Sequence, residues 1–130
     1  MKRMRNMAIS ILCSCLILAG AAPAFAEGSF NTSMTGVRPG FNSRVWNKRV
    51  NDHTSTTVHL AQCSNPYGFT TLELRRVISM LPDQSKGKIT LRCNNGTANW
   101  GAQSTGDYKF RVTSTPDNAS MSVGSVTVTY

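Results

Sequence analysis

The sequence predicts an all-β domain, an antiparallel two-sheet sandwich of about seven short strands, with a small barrel as the second choice. Three observations carry that expectation. Thr, Ser, Val and Asn dominate the chain beyond residue 26, and Ala is scarce there. Apolar residues alternate with polar ones at period two in several runs. Turn-forming residues separate those runs at short intervals.

Phe30 and Met34 mark an opening strand. Next, Thr56, Val58 and Leu60 share one face, with Thr57, His59 and Ala61 on the other. Ile89, Leu91 and Cys93 alternate with Lys88, Thr90 and Arg92, and Tyr108, Phe110 and Val112 with Lys109, Arg111 and Thr113. Val126, Val128 and Tyr130 alternate with Thr127 and Thr129. Turns are expected at Arg38-Pro39-Gly40, Asn65-Pro66-Tyr67-Gly68, Pro82-Asp83, Asn94-Asn95-Gly96, Thr105-Gly106-Asp107 and Pro116-Asp117-Asn118. Residues 70–81 admit two patterns. Leu74, Val77, Ile78 and Leu81 fall at helical spacing behind a Thr70/Glu73 capping box. As a strand, Leu72 and Leu74 alternate with Glu73 and Arg75, with a bulge at Val77-Ile78. The strand is favoured, because it pairs with 88–93 across a turn.

The first 26 residues have another character. Lys2, Arg3 and Arg5 precede a small, apolar run from Ala8 to Ala22, and Ala24-Phe25-Ala26 supplies a cleavage site after Pro23. That order is a secretory signal peptide, with an apolar run shorter than the roughly 20 residues that span a bilayer. Residues 27–130 are then a single exported domain with no integral membrane span, and a monomer is expected. Cleavage takes three of fourteen basic residues and leaves all six acids, so the net charge falls from +8 to +5. Cys13 and Cys15 leave with the signal, and Cys63 and Cys93 are expected to pair. The loop of about 30 residues closed by that disulfide is worth roughly 3–4 kcal/mol on an entropic account.

An immunoglobulin signature is absent, since Trp46 and Trp100 flank the two cysteines instead of lying between them. The segment Gly36-Val37-Arg38-Pro39-Gly40-Phe41-Asn42-Ser43-Arg44-Val45-Trp46 resembles the opening of small secreted proteins of Gram-positive bacteria. Ala98-Asn99-Trp100-Gly101, Gly106-Asp107-Tyr108-Lys109-Phe110 and Ser125-Val126-Thr127-Val128-Thr129-Tyr130 are similar to later parts of those proteins. The resemblance implies a secreted β domain and assigns no activity.

No motif specifies a reaction. Asp52, His53 and the nearby Ser and Thr hydroxyls permit a triad to be drawn, but no Gly-x-Ser-x-Gly elbow accompanies them. His53 and His59 lack zinc-type spacing, and Glu73 with Asp83 is two acids without a cleft signal. A non-enzymatic protein without metal or cofactor is expected. The usable clue is charge. Arg38, Arg44, Lys48 and Arg49 are interleaved with Phe41 and Trp46, and Arg75, Lys86, Lys88 and Arg92 form a second set on a proposed hairpin. Six residues, Arg38, Phe41, Arg44, Trp46, Lys48 and Arg49, are therefore the expected site for an anionic polymer or lipid surface at the cell envelope, against the plainer reading of a solvated basic surface with Trp46 in the core. Charge reversal at Arg44, Lys48 and Arg49 is expected to weaken binding more than reversal at Lys109 and Arg111. A cationic antimicrobial or toxin-like protein is the alternative, with a small enzyme or an inhibitor behind it.

Overall fold

The computed structural model describes residues 28–130, so the signal expected over 1–26 lies outside the described residues. Eight strands follow one another: β1 (Ser29–Val37), β2 (Trp46–Lys48), β3 (Ser55–Cys63), β4 (Phe69–Val77), β5 (Gln84–Arg92), β6 (Gly96–Ala102), β7 (Gly106–Ser114) and β8 (Met121–Thr129). They build two four-stranded antiparallel sheets, ordered β1-β8-β3-β6 and β2-β7-β4-β5. The pairs are nested, with β1 on β8, β2 on β7, β3 on β6 and β4 on β5. One long hairpin folded over on itself produces this order, which is the jelly-roll form of the sandwich.

Residues 70–81 are strand and turn, with no helix. β4 ends at Val77, and its register shifts fall between Glu73 and Arg75 against β5 and between Thr71 and Leu72 against β7, not at Val77-Ile78. The strand wins because β4 is central: β7 and β5 satisfy its backbone on both sides, a gain that no lone helical turn offers. Two strands go beyond those read from the sequence. β2 is only three residues long, and four of the seven residues of β6 are Gly or Ala, so neither shows a clear run of alternating apolar residues.

The core lies between the sheets. Val58, Leu60, Val126 and Val128 face Leu72, Leu74, Phe110 and Val112, all fully buried. At one end Trp46 stacks on Tyr108 and Tyr130 at centroid distances of 6.5 and 5.9 Å, and Phe30 tilts against it at 5.9 Å. This aromatic group joins the two sheets. At the other end Cys63, closing β3, is bonded to Cys93, just past β5, and fastens one sheet to the other.

Alternating strand direction sorts the connections. The β1–β2, β3–β4, β5–β6 and β7–β8 connections gather at the disulfide end. The β2–β3, β4–β5 and β6–β7 connections gather at the opposite end. Among the described residues, four of the five non-glycine residues with positive φ, namely Gln62, Asn95, Asp117 and Asn118, lie at the disulfide end.

Candidate functional site

The stretch from Arg38 to Arg49 does not present one surface. Its first part runs along the free edge of β7: Gly40 N–H donates to Val112 O at 2.7 Å, and Val112 N–H to Phe41 O at 2.8 Å. Arg38 and Phe41 are exposed there, Phe41 at 37%. The second part becomes β2, whose burial alternates in, out, in. Trp46 and Lys48 therefore enter the core, at 3% and 1% exposure. This corrects the expectation that both meet a ligand, because a strand sends residues i and i+2 to the same face and here that face is the interior. Lys48 Nζ is held at 3.0 Å by Asp52, which also accepts Thr54 N–H. Arg44 lies over the Phe30 ring, 3.8 Å from its centroid. Arg49 Nε donates to Asn47 Oδ1 at 3.2 Å.

The outer face of the second sheet does collect positive charge. Register places Glu73 between Lys88 on β5 and Arg111 on β7, and Arg75 between Ser85 and Lys109. Nearer the disulfide end Phe69 opposes Arg92, whose guanidinium is 5.6 Å from the ring centroid. The Pro39–Gly40 turn borders the same face, because Asn42 bridges to Arg111 across the β7 edge. Together Pro39, Gly40, Glu73, Lys88 and Arg111 bound a depression of about 400 Å³. Of the six expected residues, only Arg38 and Phe41 adjoin it, through that turn. Lys86 lies half-buried next to Gly87, whose φ of +108° allows the bulge that separates Lys88 from Ser85.

Two carboxylates temper this face, and both are occupied. Glu73 accepts Arg75 Nη1 at 2.6 Å and Ser85 Oγ at 2.9 Å. Burial pushes its carboxyl up, but the hydrogen bonds from Arg75 and Ser85 and the charges of Arg75 and Lys88 outweigh it, leaving the pKa below the usual range. Asp83 is lowered by its hydrogen bond from Lys109, at 2.8 Å, with burial opposing and Arg75 adding to the effect. Lys88, Arg92 and Arg111 make no ion pair among the described residues. The same carboxylates make a poor glycosidase pair, since a general acid needs a raised pKa and both are lowered.

The histidines lend themselves to no relay. His59 Nδ1 lies 2.7 Å from Thr97 Oγ1 on the neighbouring strand, and His53 is exposed in the β2–β3 connection while Asp52 is engaged by Lys48. Among the described residues no cluster of three or more His, Cys, Asp or Glu side chains is placed to hold a metal ion. No helix there is long and apolar enough to cross a membrane.

Adjacency in sequence groups cations that the fold sends to different surfaces. The outward cations of the second sheet are marked in the sequence by the period-two placement of Lys109 and Arg111 opposite inward Tyr108, Phe110 and Val112, and by Lys88 and Arg92 on β5. Only the β4–β7 and β4–β5 registers turn those separate residues into one field. No family model, curated protein or solved structure matches this chain.

Proposed function

We propose that this protein is an exported, non-enzymatic binding module that holds an anionic polymer at the cell envelope on the outer face of its second sheet. One observation carries the proposal. Lys88 and Arg111 flank a Glu73 whose direct ion pair is with Arg75, Lys88 acting on it only through its charge, so both cations remain available beside a shallow depression. Clustered, unpaired cations on a rigid sheet attract phosphate, sulfate or carboxylate groups through their summed field. Arg92 at one end and the Pro39–Gly40 turn at the side extend the face beyond a single anionic group, as a polymer requires.

Retention on immobilised heparin and inorganic polyphosphate tests this. The wild-type protein is expected to bind at low ionic strength and to elute with moderate salt, because exposed charges are screened over about 8–10 Å. Lys88→Glu with Arg111→Glu should abolish retention, whereas Arg44→Glu with Arg49→Glu should lower the eluting salt only slightly. Retention indifferent to salt, or unchanged by the Lys88/Arg111 pair of reversals, overturns the proposal.

A further inference from the structure

We propose that the depression between the β3–β4 and β7–β8 connections is a separate binding site that takes a neutral sugar ring of a glycan. The starting observation is in the segment Asn65-Pro66-Tyr67-Gly68-Phe69. Tyr67 is 85% exposed and Phe69 53% exposed, although the core already has its own aromatic group. These exposed rings, two residues apart in sequence, lie outside the core cluster, and among the described residues the one ring contact of Phe69 is with Arg92. Each ring offers a flat apolar surface of low conformational entropy beside the depression.

The rings stand on a rigid base. A Cβ added to Gly68 would sit 2.5 Å from Pro116 Cγ, so glycine is what lets the two connections meet. Cys93 N–H donates to Gly68 O at 3.0 Å, tying the segment to the disulfide. The depression has a volume of about 400 Å³, inside the roughly 300–1,000 Å³ of ordinary ligand sites. Its polar lining is uncommitted. The Asn65 amide and the Asp117 carboxylate make no hydrogen bond among the described residues. Thr115 is 6% exposed, and its hydroxyl oxygen is buried without a partner.

A pyranose ring has an apolar C–H face and an edge of hydroxyl groups. Tyr67 and Phe69 match the face; Asn65 and Asp117 match the edge, the carboxylate accepting from hydroxyls as a charge-assisted acceptor. The same carboxylate repels phosphate, sulfate and uronate groups, so this site selects against the ligands that suit the basic sheet face. Because its residues differ from Lys88 and Arg111, it stands whether or not the charge-based function holds. The Phe69–Arg92 pair links the two surfaces, and a glycan carrying both neutral and acidic units fits them together.

Amide NMR titration with short oligosaccharides of glucose, xylose and N-acetylglucosamine, in β- and α-linked forms, tests the site. At least one is expected to give saturable shifts confined to 65–69 and 115–118 and insensitive to salt. Tyr67→Ala and Phe69→Ala should each weaken that binding about tenfold, the effect of losing an aromatic anchor, while Tyr67→Phe keeps most of it. Both side chains are exposed, so amide spectra of the variants should otherwise match wild type. Heparin retention should be unchanged by Tyr67→Ala, and sugar binding unchanged by Lys88→Glu with Arg111→Glu, which separates failure of one site from failure of the other. No saturable shift at these residues with any sugar, or shifts that survive the Tyr67/Phe69 double variant, overturns the proposal.

Discussion

Two regions of this molecule combine cations with aromatic rings, and they do opposite things with them. In residues 38–49 the charges are adjacent in sequence, yet β2 turns Trp46 and Lys48 into the core and leaves Arg44 and Arg49 outside. On the outer face of β7, β4 and β5 the cations come from three separate segments and point the same way. The first region is a fastening between sheets; the second is a field open to solvent. Closeness along a strand disperses side chains to two faces, whereas closeness across strands gathers them on one.

The sharpest test of that contrast is Trp46→Ala. Removing the ring that joins Phe30, Tyr108 and Tyr130 should cost about 3–5 kcal/mol in denaturant unfolding, while protein that remains folded keeps its heparin retention. If the variant unfolds normally but loses retention, Trp46 is a binding residue and the contrast fails.

A smaller effect is expected at Lys48 and its partner. Asp52→Asn leaves a buried ammonium with no counter-charge, whereas Lys48→Met removes the charge and keeps an apolar chain of similar length. Equilibrium unfolding should therefore show Asp52→Asn less stable than Lys48→Met. The reverse order would mean that Lys48 reaches water.

The least effect is expected from pH. Asp52, whose carboxyl is lowered mainly by its hydrogen bond from Lys48 and then by Thr54 N–H, shares this behaviour with Glu73 and Asp83. A carboxylate with a folded pKa below its unfolded value adds stability above the unfolded pKa and loses it as pH falls through the folded value. Thermal stability should thus decline below about pH 4, and Asp52→Asn should flatten part of that decline. Stability that is level down to pH 2, or that rises on acidification, contradicts the pairing.

Much of the fold was legible before the structure. The alternation in 56–61, 88–93 and 108–113 marks strands with one buried face, and two sheets are the simplest way to cover such faces. Cys63 and Cys93 pair as the composition implies, with Cα atoms 5.6 Å apart. β2 was not legible, because three residues carry too little pattern, and with β2 missing the sequence leaves Trp46 open between the core and a ligand surface. Nor does sequence show that Tyr67 and Phe69 sit beside Asp117. Tyr67 and Phe69 belong to the β3–β4 connection and the start of β4, Asp117 to the β7–β8 connection, and the contact of Gly68 with Pro116 brings them together.

The sequence by itself determined the class of fold, the positions of most strands, the disulfide and the excess of basic residues. These follow from local chemistry: side-chain period, turn residues and composition. Tertiary structure alone decided which cations share a face, which aromatic rings are core and which are offered to solvent. Strand order and register set those outcomes, and they arise from pairings between residues far apart in the chain. Lys88 and Arg111, 23 residues apart in sequence, become neighbours only because β4 lies between their strands.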